Sequence, residues 1–462
     1  MSELENIKIL NVNKNILKTV YFIGIGGIGM SAIARYFNSI GSDVLGYDKT
    51  PTHLTRELEQ LGISIHYVDD VNLIPKHADL IIYTPAIPKD HSELDYYINK
   101  GYRVLKRSDV LQLITEQGFN ICVAGTHGKT TTSTMIAHIL KHTEYGCNAF
   151  LGGISANYNT NFWSSDKNRF VVEADEFDRS FLKLNPDIAV ITSMDADHLD
   201  IYGTLEELEN TFIQFSHKIK AGGTLIHKYG LAKSDQLSGS KKISYSFDNL
   251  LADVYTSELS VSNGSYCFDV IAKDWVLTNV TLNMGGLHNI ENVLAAIIIA
   301  KKLGIENDKI TDAVTEFKGV KRRFEYILKD DDHVLIDDYA HHPEELKALI
   351  TGVRSLYKLP LVIVFQPHLF SRTNDFANEF AESLSLADEV ILLPIYPARE
   401  KPMDGVTSKM ILNKMTLENK KLMTKDEFEE YIKTLQPSLL VMAGAGDIDT
   451  LVQPIKEILV QQ

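Results

Sequence analysis

One short segment constrains this chain more than any other: Gly125-Thr126-His127-Gly128-Lys129-Thr130-Thr131, set between an apolar run (Ile121 to Gly125) and a helical pattern. A glycine-containing loop that leaves a buried strand and enters a helix aims backbone N–H groups and a helix N-terminus at one point. That arrangement suits a polyphosphate. Lys129 is placed to sit against the β- and γ-phosphates, and the Thr130 hydroxyl to ligate magnesium. The loop is shorter than the usual GxxxxGK[ST], so the likeness to that motif is one of layout, not of length.

The rest of the chain extends this into three α/β series. With 462 residues it is too long for one ordinary core. Apolar runs at Thr19 to Ile25, Asp43 to Tyr47, Ala78 to Thr84 and Tyr102 to Leu105 read as strands, with a helix over Ile28 to Ile40. This spacing predicts right-handed βαβ units and a parallel sheet. The second series opens at Asn120 and adds strands at Phe170 to Ala174 and Ile188 to Thr192. Short alternating segments from Ser240 to Thr281 predict antiparallel strands, and Asn289 to Leu303 predicts an apolar helix. The third series begins after Arg323, with strands at Val334 to Asp337, Leu361 to Phe365, Glu389 to Leu393 and Leu439 to Ala443. The expected organisation is an α/β chain of three domains: 1–107 Rossmann-like, 108–320 a P-loop ATPase-like mixed sheet, and 321–462 Rossmann-like again.

Several polar clusters fall at strand ends, where open parallel sheets bind ligands. Glu173, Asp175 and Glu176 follow one strand, and Asp195, Asp197 and His198 another. Two such clusters in a domain with a phosphate loop make Glu173 a candidate magnesium ligand. His198 alone reads equally well as a metal ligand or as a helix-capping or core histidine. Gly24-Ile25-Gly26-Gly27-Ile28-Gly29 has GxGxxG spacing, with Asp48 closing the next strand. The spacing specifies backbone approach to a pyrophosphate, and NAD and a UDP-sugar both carry one. Asn289 and Asn292 lie one helical turn apart, able to meet a base edge together or simply to cap. Lys321-Arg322-Arg323 reads as a γ-phosphate clamp or as a basic turn. Asp338, Tyr339, His341, His368 and Arg372 end two strands of the third series.

Composition excludes other classes. A net charge of -15 opposes nucleic acid binding. No window reaches the roughly eighteen apolar residues of a membrane helix, and the N-terminus lacks a secretion-signal layout. Three cysteines without CxxC spacing suggest neither a disulfide framework nor a zinc site, and the cytoplasm is the expected compartment.

Taken in order, GTHGKTTT, EADE, DADHLD, Gly286-x-His288-Asn289-x-x-Asn292, RRFE, DDYAHHP and FQPH with Arg372 resemble the muramyl ligase family over nearly the whole chain. GIGGIGM, YTPAIP and the last two motifs resemble the branch that joins L-alanine to UDP-N-acetylmuramate. The resemblance implies ATP and magnesium as cofactors, a monomer or homodimer, and an acyl-phosphate route. It implies that Gly24, Gly26, Gly27, Gly29 and Met30 hold the UDP-sugar diphosphate, with Asp48 and Thr84 nearby. ATP would fall to Gly125, Thr126, His127, Gly128, Lys129, Thr130 and Thr131, with Asn289 and Asn292 at adenine, Asp338 at the ribose and Arg323 at the γ-phosphate. Thr130, Glu173 and His198 would hold magnesium. Tyr339, His341, His368 and Arg372 would meet the amino acid; His341 or His198 would take its proton. Two positions depart from the family pattern. Leu369 stands where relatives carry a basic residue, and Ile213 where others use a carbamylated lysine, so none is expected here. An NAD-dependent oxidoreductase leaves the phosphate loop unexplained. A non-catalytic UDP-sugar binder would not keep the lysine, the glutamate and both histidines. A recycling ligase that attaches a peptide is the nearest alternative.

Overall fold

The computed structural model describes residues 17–197, 199–398 and 400–461. Among these, three sheets account for all the strands. The first contains β1 (Thr19–Ile23), β2 (Asp43–Tyr47), β3 (Ser64–His66), β4 (Leu80–Tyr83) and β5 (Val104–Lys106), all parallel in the order β3-β2-β1-β4-β5. Val20 to Ile23 are wholly buried, as continuous apolar runs in a sheet covered on both faces should be.

The second sheet has ten strands: β6 (Phe119–Ala124), β7 (Asn148–Ser155), β8 (Thr160–Trp163), β9 (Arg169–Glu173), β10 (Ile188–Ile191), β11 (Thr224–Lys228), β12 (Lys241–Ser246), β13 (Val254–Ser262), β14 (Ser265–Ala272) and β15 (Val276–Leu282). Their order is β15-β14-β13-β12-β11-β10-β6-β9-β7-β8. Strands β13 to β15 are antiparallel as expected, but β12 runs parallel to both neighbours. Alternating polarity reports that one face is buried and says nothing about strand direction. The β7–β8 hairpin was not foreseen, because Gly152 and Gly153 interrupt its apolar run.

The third sheet contains β16 (Glu325–Lys329), β17 (Val334–Asp338), β18 (Val362–Phe365), β19 (Glu389–Leu392), β20 (Lys420–Leu422) and β21 (Leu439–Ala443), in the order β16-β17-β21-β18-β19-β20. Only the edge strand β16 is antiparallel.

Two packing arrangements position the site. The helix Leu287–Lys302 is apolar on several faces because it lies against the helix Lys129–His142 inside the core, where Ile290 and Val293 to Ala300 are almost fully buried. The helix Ile28–Ser39 crosses from the first sheet onto the β7–β8 hairpin. There Asn161 donates to the Ile28 carbonyl at 2.6 Å and to Ser31 Oγ at 2.9 Å, while the Tyr36 ring meets Phe150 and Phe162. The first glycine loop is thereby held towards the phosphate loop. No helix among the described residues is long and apolar enough to cross a membrane.

Candidate active site

The phosphate loop is held by backbone conformation and by the end of β10. Gly125 has φ +138° and Gly128 φ +80°, conformations that L side chains rarely adopt. A Cβ on Gly128 would lie 2.7 Å from Asn292 Oδ1. His127 N donates to Ser193 Oγ at 2.7 Å, and Thr126 Oγ1 pairs with the same hydroxyl at 2.9 Å. Thr192 adds a bond to the Ala124 carbonyl at 3.2 Å. Lys129 folds back over the loop, donating to the Gly125 carbonyl at 2.7 Å and to Glu176 Oε1 at 2.8 Å. Glu176 is fully buried, which pushes its carboxyl up, while Lys129 pulls it back down.

Glu173 ends β9 beside this lysine. It accepts from Thr130 Oγ1 at 3.1 Å and from Gly152 N at 3.0 Å. Burial raises its carboxyl, opposed by the Thr130 hydrogen bond and by the charges of Lys129 and Arg323. A Cβ on Gly152 would collide with that carboxylate, and one on Gly153 would sit 2.7 Å from Val320 Cγ1. His198, the third expected metal ligand, lies outside the described residues.

A cleft of about 750 Å³ opens over these groups. Thr126 to Thr131 and Glu173 form one side, Asn289 and Asn292 the back, and Arg323, Asp338 and Tyr339 the side towards the third sheet. The two asparagines are chained together: Asn292 Nδ2 donates to Asn289 Oδ1 at 2.9 Å, Asn289 Nδ2 to the Gly285 carbonyl at 2.6 Å, and Thr132 Oγ1 to Asn292 Oδ1 at 3.0 Å. The two arginines have separate tasks. Arg322 is tied into the third sheet through the Gly444 carbonyl and Asp337, and lies over the Tyr339 ring. Arg323 is exposed in the cleft, where its charge lowers both Glu173 and Asp338. Asp338 accepts from Phe324 N at 2.7 Å and Ala340 N at 2.8 Å, and burial still pushes its carboxyl up to about 6.

His341, His368 and Arg372 lie beyond the cleft lining. The ring of His341 is 5.2 Å from Tyr339 and 5.9 Å from His368, and His368 stacks on Tyr396 at 5.8 Å. Burial, Arg372 and His341 all lower the His368 imidazole. Leu369 has φ +73° at the start of the helix Phe370–Asp375. Ile213 is packed against apolar neighbours, so no lysine stands in the expected place.

The first glycine loop faces a separate cavity of about 280 Å³. Gly24 has φ +85°, and a Cβ there would meet Thr84 Cγ2 at 2.7 Å. Asp48 Oδ2 accepts from Gly26 N at 2.7 Å, so this acid braces the loop and does not line the cavity. Gly27, Gly29, Met30, Thr84 and Arg107 form one side, and Phe150, Gly152, Glu173 and Asp175 the other. Gly152 and Glu173 therefore form a wall common to both spaces.

The sequence reading did not single out Arg107, Gly152, Tyr396 or the roles of Glu176 and Ser193. Arg107 directly follows β5, and paired glycines in an apolar strand mark close approach, so both carried a readable signal.

Three family models match in sequence: Mur ligase family, catalytic domain, over residues 19–118; Mur ligase middle domain over 123–300; and Mur ligase, glutamate ligase domain, over 322–448. The chain belongs to the Mur ligase family. Among similar Mur ligases, UDP-N-acetylmuramate--L-alanine ligase of Porphyromonas gingivalis is 49% identical over 452 residues, covering 96% of this chain and 99% of that protein. The protein of the same name from Flavobacterium johnsoniae is 48% identical over 453 residues, covering 97% and 99%. The crystal structure of UDP-N-acetylmuramate-alanine ligase MurC from Thermotoga maritima matches with TM-score 0.81 at 28% identity, over 96% of this chain and 99% of that one. A murein peptide ligase from Psychrobacter arcticus shares the Mur ligase fold with TM-score 0.64 at 23% identity, over 96% and 98%.

Proposed function

We propose that this chain joins L-alanine to the carboxylate of UDP-N-acetylmuramate, converting ATP to ADP and phosphate, in cytoplasmic peptidoglycan precursor synthesis. The observation that carries this reading is the common wall: a phosphate loop and a GxGxxG loop open on two cavities that meet at Glu173 and Gly152. A reaction between groups held on two nucleotides needs that junction. Residues 1–107 would hold the UDP-sugar, 108–320 ATP and 321–462 the amino acid.

A carboxylate is a poor acyl donor because oxide would have to leave. The muramate carboxylate instead attacks the γ-phosphorus, ADP departs, and an acyl phosphate results. The alanine amine then attacks the acyl carbon, and phosphate leaves. Lys129 would exchange Glu176 for the β- and γ-phosphates, and Arg323 would neutralise the transferred group from the opposite side. Arg107 would hold the UDP-sugar end and Gly128 the ATP end. Asn289 and Asn292 would turn their remaining N–H groups to adenine, and Asp338 would accept from the ribose. Tyr339, His341, His368 and Arg372 would form the alanine side, with His341 or His198 accepting the amine proton.

Magnesium fits the donors present. Thr130 Oγ1 and Glu173 Oε1 are 3.1 Å apart, close to the roughly 2.9 Å edge of an octahedron with bonds of about 2.0–2.1 Å. When bound by Thr130, Glu173 and His198, the ion would supply positive charge to the phosphates.

The test is phosphate release from ATP with magnesium and UDP-N-acetylmuramate, without amine, with L-alanine, or with a tripeptide. Release that requires L-alanine, and a product heavier by one alanyl residue, is expected. Release with the tripeptide alone would transfer the chain to the peptide-recycling reaction, which the near-full-length similarity to alanine ligases does not favour.

A further inference from the structure

The first sheet carries a group of metal-capable side chains that the ligation does not use. Asp69, His91 and Glu93 each offer one donor atom, and the three atoms lie within 4.8 Å of one another. None of the three lines either cavity. Asp69 lies just after β3, while His91 and Glu93 open the helix Ser92–Asn99, so the cluster joins a loop to a helix start. Asp69 accepts from Ser92 N at 2.9 Å and Ser92 Oγ at 2.6 Å, and it is exposed, which gives an ion a route from solvent. Glu93 is fully buried, accepting from Tyr21 Oη at 2.6 Å and Asp70 N at 3.1 Å.

His91 is the observation that points to a ligand. Only 3% of its side chain is exposed, and neither ring nitrogen has a hydrogen-bond partner among the described residues. A buried polar group left in that condition destabilises the fold unless a ligand satisfies it. Its Nδ1 faces Asp69 Oδ1 at 3.4 Å. Donors bound at about 2.0–2.1 Å on a tetrahedral ion stand roughly 3.3–3.4 Å apart, so this pair already has the separation of one tetrahedral edge. Charge agrees with geometry. The charged groups that act most on His91 and Glu93 are Asp69, Asp70, Asp90, Asp95 and His66, and His66 Nε2 stands 3.6 Å from Glu93 Oε1.

We propose that Asp69, His91 and Glu93 form a second metal site, apart from the ligation cleft, that takes one borderline divalent cation such as Zn²⁺. One imidazole and two carboxylates are a donor set that zinc takes at four-coordinate sites. Three protein donors leave a fourth position for water on the Asp69 side. The ion pins the loop after β3 to the helix Ser92–Asn99.

Full-length protein, stripped with chelator and dialysed, is titrated with Zn²⁺ by calorimetry and with Co²⁺ by visible absorption. The native chain is expected to bind one equivalent and to gain several degrees in Tm with Zn²⁺. His91→Gln and Asp69→Asn should each weaken binding at least tenfold while melting, metal-free, within about two degrees of the native chain. Glu173→Gln, which alters the cleft, should leave the equivalent in place. The proposal is overturned if no equivalent binds, if binding survives both substitutions, or if Glu173→Gln alone removes it.

Discussion

Adding one methyl group at Gly152 should disable the site while sparing the fold. The new Cβ would overlap all three carboxyl atoms of Glu173, so that side chain must turn away. Turning breaks the bonds from Thr130 Oγ1 (3.1 Å) and Gly152 N (3.0 Å). Hydrogen bonds to a charged group contribute about 1.5–3 kcal/mol each. Allowing for partial replacement by water, a net loss of about 2–4 kcal/mol corresponds to roughly 30- to 1,000-fold in rate. Gly152 does not have a left-handed backbone, so alanine is locally tolerated. The colliding atoms end a side chain that can swing into the cleft, and Tm should move by no more than about 4 °C. Steady-state phosphate release across a range of magnesium concentrations measures the effect. Adding Glu173→Ala to Gly152→Ala should cause little further loss, because the carboxylate is already displaced. A Gly152→Ala enzyme within threefold of native kcat, with an unchanged magnesium requirement, would refute the reasoning.

Arg107→Ala removes an arginine that lines the smaller cavity and should raise KM for UDP-N-acetylmuramate by about tenfold or more, leaving KM for ATP within about twofold; initial rates with each substrate varied decide it. Gly128→Ala forces a side chain into φ +80° and to 2.7 Å from Asn292 Oδ1, so kcat/KM for ATP should fall at least about tenfold, read by the same assay. Asp337 is almost fully buried, and burial pushes its carboxyl up to about 7 from an unfolded value near 3.8. The folded state thus holds the proton more tightly, so this group's contribution is complete below pH 3.8 and is lost as pH rises through about 7. Asp337→Asn should therefore flatten the decline of Tm between pH 5 and 8, and parallel native and variant curves would count against that assignment.

The parts of this molecule legible in its sequence are those decided by local pattern. Val20 to Ile23, Ile121 to Ala124 and Leu439 to Ala443 are apolar runs too short for helices, and each proved to be a buried parallel strand. The acids and phosphate-loop residues at their ends came together because parallel strands deliver their C-terminal ends to one edge of the sheet. What stayed hidden depends on contacts distant in sequence. Nothing local to Gly152 says that its missing side chain makes room for Glu173, and nothing local to Lys129 says that Glu176 holds it. The direction of β12 was equally hidden, since the same alternation serves a parallel or an antiparallel partner.

The joint between the second and third sheets is fastened along its length. Val320 bridges Ser155 in antiparallel fashion, Lys321 N donates to the Ile154 carbonyl at 2.8 Å, and Ala156 N donates to the Gly319 carbonyl at 3.0 Å. A loose tether would let the third sheet swing without consequence elsewhere. Here a swing would pull on β7, and β7 carries Gly152, so leverage applied at the far sheet would reach the donors around Glu173. If the third sheet holds the amino acid as proposed, the joint would work as a crank, coupling its arrival to alignment of the phosphate ligands. A small molecule wedged into it would act as a brake, lowering kcat without raising KM for any of the three substrates.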